Sequence, residues 1–227
     1  MRLSVIIPMY NEEKTLHQIF TKVGQAPIEK EIIIVDDGST DGTRTLLKKY
    51  EQTDNVKVIY QDKNYGKGAA IRAAISLVAG DITIIQDADL EYDPEDYLKL
   101  IEPFRAGVVK VVYGSRFLNK QNRHSYRRFY LGGVFLSLLT NLLYFQRLTD
   151  ESTCYKVFDS RLLKSINLKC KGFEFCPEVT AKVAKRGILI KEIPISYYPR
   201  SIQEGKKISW RDGLKAIWIL LKYRIID

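Results

Sequence analysis

Apolar residues in the first half of the chain recur in two alternating rhythms. Short runs rich in β-branched residues, Leu3–Pro8, Ile32–Val35, Val56–Tyr60, Ile82–Ile85 and Val108–Tyr113, predict five strands. Between them the spacing turns helical. Leu16, Ile19, Phe20 and Val23 fall at i, i+3, i+4 and i+7, which predicts a helix over Glu12–Val23. Further helices are expected over Asp41–Tyr50, over the Ala-rich stretch Lys67–Ala79 that Gly80 stops, and around Glu95–Phe104. Strands separated by single helices imply βαβ units and a parallel sheet, and such α/β sheets bind ligands beyond the carboxyl ends of their strands.

The second half is less regular. Ser125–Phe145 predicts a helix with Arg127 and Arg128 near its start, and Glu151–Phe158 a short strand-like element. Phe173–Lys185 is expected to hold a helix after Pro177, Ile188–Tyr198 one or two strands, and Ser209–Ile226 an amphipathic helix. With no repeat, low-complexity segment or linker, residues 1–227 read as one domain.

Composition narrows the class. Of 227 residues, 45% are hydrophobic and 28% charged, which excludes a disordered tail, a collagen-like chain and a disulfide mini-protein. The net charge of +9 suggests an anionic partner: nucleic acid, a membrane surface or a phosphorylated ligand. Its distribution says more. Residues 1–113 carry 14 basic and 18 acidic side chains, net −4, and residues 114–227 carry 22 and 9, net +13. Three cysteines, Cys154, Cys170 and Cys176, form no C-x-x-C pair and fit a reducing compartment. His17 and His124 are too few for a histidine metal site. The N-terminus is not a signal peptide, because polar Tyr10-Asn11-Glu12-Glu13 follows its short apolar run. Tyr130–Phe145 is too short and too polar for a membrane span, so any membrane contact is expected to be peripheral.

Four polar clusters follow predicted strands: Tyr10-Asn11-Glu12, Asp36-Asp37, Asn64-Tyr65-Gly66 and Asp87-Ala88-Asp89. In Gln86-Asp87-Ala88-Asp89-Leu90-Glu91, carboxylates occupy alternate positions, and an extended chain would turn them to one side. Oxygen donors of this kind suit Mg²⁺ or Mn²⁺ beside a phosphate; a solvated acidic loop is the plainer alternative. Asp93, Glu95 and Asp96 read as acids opening a helix. In Asp36-Asp37-Gly38-Ser39-Thr40-Asp41, a carboxylate can accept from a ribose or base while Asp41 caps a helix. Asn64-Tyr65-Gly66-Lys67-Gly68 matches neither the P-loop nor the G-x-G-x-x-G spacing, so a P-loop NTPase and a Rossmann dehydrogenase lose their main support.

Taken in order, Val5–Glu13, Val35–Thr43, Gly66–Arg72 and Asp87–Glu91 resemble the motif set of family 2 glycosyltransferases. Val112–Phe117 and Glu151–Phe158 are similar to the dolichyl-phosphate mannose synthase-like branch, and the resemblance covers nearly the whole chain. It implies a GT-A fold: a Rossmann-like, mostly parallel central sheet with helices on both faces, here followed by the C-terminal amphipathic helix. It implies a nucleotide-sugar donor with a divalent cation, Mg²⁺ or Mn²⁺, at Asp87, Asp89 and Glu91, where Glu91 departs from relatives that carry Gln. Pro8, Tyr10, Glu12 and Asp37 would line the nucleoside pocket, with Lys67 and Asp87 beside the donor. A basic loop carrying Arg200, Lys206 and Lys207 would cover the diphosphate, although Lys206-Lys207 also reads as a solvated pair. Arg116, Arg127 and Arg128 would face an acceptor phosphate, and Asp89 and Arg116 would carry the catalysis.

A lipid phosphate acceptor is already anionic and needs no general base, which suits a chain with two histidines. The expected activity is inverting transfer of a hexose from a GDP-mannose- or UDP-glucose-type donor to a polyprenyl or dolichyl phosphate, at the cytoplasmic face of the membrane. Residues 1–113 would form the nucleotide-sugar half and residues 114–227 the acceptor half. Ser125–Phe145 and Ser209–Ile226 would lie in the membrane interface or pack on the sheet as core helices. A saccharide hydroxyl acceptor is the alternative and would require a base such as Glu178. A basic nucleic-acid-binding module leaves the Asp-X-Asp cluster unexplained, so no nucleic-acid partner is expected. Cys154 and Cys176 read as packed small side chains.

Overall fold

The computed structural model describes residues 1–105, 107, 109–123, 126–200 and 209–226. Its strands are β1 (Leu3–Met9), β2 (Lys30–Asp36), β3 (Val56–Tyr60), β4 (Ile82–Ile85), β5 (Val111–Ser115), β6 (Lys156–Asp159) and β7 (Lys191–Pro194). Its helices are α1 (Leu16–Gln25), α2 (Thr43–Leu47), α3 (Lys67–Ile75), α4 (Tyr97–Arg105), α5 (Arg127–Tyr144), α6 (Ser160–Ser165), α7 (Phe175–Lys185) and α8 (Trp210–Ile225). One mixed sheet runs in the order β3-β2-β1-β4-β6-β5-β7. β6 is antiparallel to both of its neighbours, and every other pairing is parallel.

The order explains the layers. From β1 the chain steps outward to β2 and β3, then returns across them to β4 on the other side of β1. Parallel crossovers are right-handed, so the outward steps put α1 and α2 on one face and the return puts α3 on the other. α3 packs on β1 and β2 accordingly. The strands between these layers read as continuous apolar runs, as sheets covered on both faces require: β1 and β4 are buried throughout. β1 and β4 diverge in their connections, so a crevice opens at their carboxyl ends.

Several boundaries differ from the sequence reading. α1 begins at Leu16 rather than Glu12, because residues 12–15 form a turn in which the Thr15 hydroxyl donates to the Glu12 carboxylate at 3.0 Å. α7 begins before Pro177, not after it; a proline in the first helical turn lacks only an N–H that has no intrahelical partner there. The strand expected over Glu151–Phe158 is reduced to β6, and α6 follows it directly, capped by Asp159 accepting from Leu162 N at 2.8 Å. Ser125 and the expected strand start at Val108 lie outside the described residues.

α5, α7 and α8 form a second, smaller core around Tyr144, Ala181, Leu220 and Tyr223. The Tyr144 hydroxyl donates to Leu220 O at 2.6 Å and fastens α5 to α8. α5 is inverted relative to an ordinary surface helix. It buries Gly133, Ser137, Thr140 and Tyr144 and exposes Leu131, Phe135, Leu138, Leu142 and Phe145, the last two at 74% and 79%. α8 exposes a matching stripe, Trp210, Leu214, Trp218, Leu221 and Ile225. No helix of the described residues is long and apolar enough to cross a membrane.

Candidate active site

The crevice beyond β1, β2 and β4 holds the polar clusters that the sequence placed at strand ends. Backbone pairing fixes them there: Asp37 N donates to Met9 O at 2.8 Å, and Gln86 N to Ile6 O at 2.9 Å. The resulting cleft, about 510 Å³, is lined among others by Pro8, Tyr10, Glu12, Asp37, Lys67, Asp87, Asp89, Glu91, Arg116 and Arg200. Every described residue expected at the donor and cation sites thus reaches one cavity. Lys206 and Lys207 lie outside the described residues.

Strand alternation separates the two aspartates of the second cluster. Asp36 turns inward to Arg44, whose Nε donates to it at 2.6 Å. Asp37 faces the cleft and accepts from Tyr65 N at 2.7 Å and Gly66 N at 2.8 Å, fixing the turn into α3. Burial raises the Asp37 pKa, and these two donors oppose the rise. Gly66 has φ +96, and a Cβ there would lie 2.4 Å from Lys171 O, so the turn requires glycine.

The acidic motif is not extended. The chain turns at residues 88–90, with Leu90 at φ +62, and each carboxylate finds its own partner. Asp87 pairs with Lys67 Nζ at 2.5 Å. Asp89 accepts from Arg200 Nη2 at 2.8 Å. Glu91 accepts from Arg200 N at 2.8 Å and from the Tyr197 hydroxyl at 3.0 Å. The extended arrangement that would turn all three to one side is therefore corrected, and the described residues hold no cluster of three close enough to grip a metal. Their chemistry still fits one. Burial, then repulsion from Asp87 and Glu91, pushes the Asp89 pKa up to about 7 against the pull of Arg200. Lys67, although burial pulls it down, is held above its ordinary value chiefly by Asp87. Two side-chain cations neutralise a site that presents hard oxygen donors.

Arg116 stands at the far end of the cleft. Asp150, fully buried, accepts from its Nε and Nη2, both at 2.7 Å, and from its backbone N at 2.9 Å. Glu192 of β7 holds the loop behind it by accepting from Asp150 N at 2.9 Å and Thr149 N at 2.7 Å. The guanidinium lies between the rings of Phe117 and Tyr197, 5.6 and 5.2 Å from their centroids. Arg116, Leu136, Ser152, Tyr197 and Gly213 also line a second cavity of about 560 Å³ between α5 and α8. Its walls include Tyr126, Phe129, Tyr130, Phe135 and Trp210, with Arg128 beside them. Arg127 is exposed on the first turn of α5 and lines neither cavity.

Glu178, considered as the base for a saccharide acceptor, is spent elsewhere. It accepts from Lys169 N, Cys170 N and the Tyr223 hydroxyl and pairs with Lys182, tying α7 to its neighbours outside both cavities. Cys154 and Cys176, read as packing residues, line the cleft, and the Lys67 ammonium approaches Cys154 Sγ at 3.5 Å. Burial raises both thiol pKa values, which keeps them unreactive. Asp150, Ser152 and Tyr197 were missed. Their side chains carry no local spacing signal, because β6, β7 and the loops around them converge only through the sheet.

Fold and cleft together define an α/β protein with a ligand crevice at the topological switch point of its sheet. Residues 4–166 match the model of Glycosyl transferase family 2, and the chain belongs to that family. It is 31% identical over 97% of its length to a UDP-N-acetylglucosamine–dolichyl-phosphate N-acetylglucosaminyltransferase of Methanococcus voltae, covering 95% of it. It is 29% identical to an undecaprenyl-phosphate mannosyltransferase of Micrococcus luteus, with 99% of each covered. To a dolichol-phosphate mannosyltransferase of Pyrococcus furiosus it is 28% identical over 91% of its length, but it spans only 59% of that protein. These relatives place the chain in the polyprenyl-phosphate branch. Glucosyl-3-phosphoglycerate synthase of Mycobacterium tuberculosis, solved with Mn²⁺, UDP and phosphoglyceric acid, shares the GT-A fold at TM-score 0.72, 19% identity, 99% coverage of this chain and 79% of that one.

Proposed function

We propose that this glycosyltransferase moves a hexose from a nucleotide sugar to a polyprenyl phosphate, with inversion, at the cytoplasmic face of a membrane. The observation that carries the reading is the shared wall of the two cavities. A charged cleft opens at Arg116 into an aromatic groove, between two helices whose outward faces are apolar. A saccharide acceptor has no use for such a face, whereas a lipid does. The unpaired cysteines suit the reducing side of the membrane. On this reading residues 1–113 supply the donor half and residues 114–227 the acceptor half of one domain.

The chain's own residues divide the work. Asp37 fixes the α3 turn against the donor, and Pro8, Tyr10 and Glu12 complete the nucleoside wall. Asp87, Asp89 and Glu91 would hold Mg²⁺ or Mn²⁺, after the Lys67 ammonium and the Arg200 guanidinium give way. When bound, that cation neutralises the diphosphate as it leaves. Lys67 and Arg200, once released, are placed to turn to the same phosphates. Arg116, with Arg128 at the groove, faces the acceptor phosphate, whose oxygen is already anionic and attacks without a base. Arg127 sits outside the groove and is better placed for lipid headgroups. One relative takes UDP-N-acetylglucosamine and another transfers mannose, so several nucleotide sugars are substrates to test.

The test uses labelled GDP-mannose, UDP-glucose and UDP-N-acetylglucosamine with Mg²⁺ or Mn²⁺. Each is offered undecaprenyl phosphate or free oligosaccharides. Label in the lipid phase that chelation abolishes is the expected result. Label in oligosaccharide alone favours the saccharide reading and defeats this one.

A further inference from the structure

We propose that Tyr197 is a positioning residue that holds Arg116 in register with the acidic cluster. The proposal rests on the reading of Arg116 as the acceptor-phosphate group. Tyr197 belongs to the segment that follows β7, forms a bridge with Tyr92, and is 7% exposed. Tyr197 touches both sites, and its hydroxyl borders the Arg116 guanidinium as well as Glu91. The ring lies over the Arg116 guanidinium at 5.2 Å, and the hydroxyl donates to Glu91 Oε2 at 3.0 Å. It is also one of the few residues common to both cavities.

The two contacts constrain each other. Asp150 fixes Nε and Nη2 of Arg116 in one plane, but a planar bidentate pair still allows the guanidinium to rock about the axis joining the two groups. The rings of Phe117 and Tyr197 close off that motion. Tyr197 can do so only while its own ring is fixed; packing on Tyr92, with ring centroids 5.6 Å apart, and the hydroxyl bond to a carboxylate together fix it. Glu91 is anchored in turn, because its backbone carbonyl accepts from Tyr198 N at 2.9 Å and its other oxygen from Arg200 N. The geometry of the acidic loop is thus handed across the cleft to the anion-binding arginine. Held this way, Arg116 meets the acceptor oxygen with less reorganisation.

Tyr197→Phe keeps the ring and removes the hydroxyl. Calorimetry with GDP and UDP, each with Mn²⁺, should give affinities within about twofold of wild type. The KM for undecaprenyl phosphate in detergent micelles should rise on the order of tenfold, with a smaller change in kcat. In an Arg116→Lys background, where the planar stack is already lost, the same substitution should change that KM less than about twofold. An unchanged KM overturns the proposal. So does a parallel loss of nucleotide affinity and thermal stability, or a full effect that persists without Arg116. Inorganic phosphate binding in the presence of nucleotide gives the same comparison without a lipid. Sugar transfer to a saccharide, with wild-type phosphate binding weakened by Tyr197→Phe, would defeat the lipid reading and leave this inference standing. A wild type that binds neither phosphate defeats both.

Discussion

The two cavities are built by different means. The acidic cleft is assembled on strand ends, where ladder hydrogen bonds fix each side chain's position to within the register of β1, β2 and β4. The aromatic groove is assembled by helix packing, around a small core of α5, α7 and α8, with its outer faces left apolar. The first arrangement suits precise charge chemistry. The second suits a ligand recognised by shape and apolar contact. Arg116 and Tyr197 stand where the two meet.

The sharpest way to break the comparison is at the acidic motif. Asp89→Ala should reduce transfer by roughly a thousandfold or more, since it removes a donor to the charge that stabilises the leaving group. The melting temperature should stay near wild type, because Asp89 makes no core contact beyond its pairing with Arg200 and Glu91 N. Retained turnover in that variant with metal chelated would sink the donor-side mechanism.

At the junction, Asp150→Asn leaves the Arg116 guanidinium without its carboxylate partner. Breaking a buried pair typically costs about 3 kcal/mol, so urea unfolding should shift measurably and the acceptor KM should rise. A change in nucleotide affinity of similar size would contradict the separation of the two regions. On the groove side, the pair Leu142→Glu and Trp218→Glu should leave stability and turnover in detergent micelles unchanged. Sedimentation with anionic vesicles should weaken roughly tenfold or more, because burying each side chain in the interface contributes on the order of 1–2 kcal/mol. Equal vesicle binding would show that these stripes do not meet a bilayer.

The smallest catalytic effect is expected at Glu178→Gln. Loss of its charge-assisted bonds to Lys182, Tyr223 and the 169–170 backbone should lower stability by about 1–2 kcal/mol. Transfer measured well below the melting temperature should not change. A large loss of kcat would return Glu178 to the role of base.

Much of the first region was legible in the chain itself. The residues at the ends of β1, β2 and β4 declare themselves because a strand's apolar run and the polar residues after it are contiguous. Residues 87–91 show where that logic stops. Alternate carboxylates predicted an extended row, but Leu90 takes a left-handed conformation, and Asp87 turns to Lys67 while Asp89 and Glu91 turn to Arg200. Glu178 failed for a similar reason: it does lie in the helix expected there, although that helix starts at Phe175, and nothing local said which way it pointed. Tyr197 was invisible, since its two partners lie 81 and 106 residues away.

Sequence alone determined the βαβ rhythm, the acidic and basic halves, and the set of polar loops that share one sheet edge. Each depends on neighbours within a few residues, where period and turn chemistry act directly. Tertiary structure decided which charges are free and which are already paired. It also turned the large apolar side chains of α5 outward and left its small ones inside. Those outcomes depend on contacts between distant segments, and only the packed sheet and helices bring them within reach.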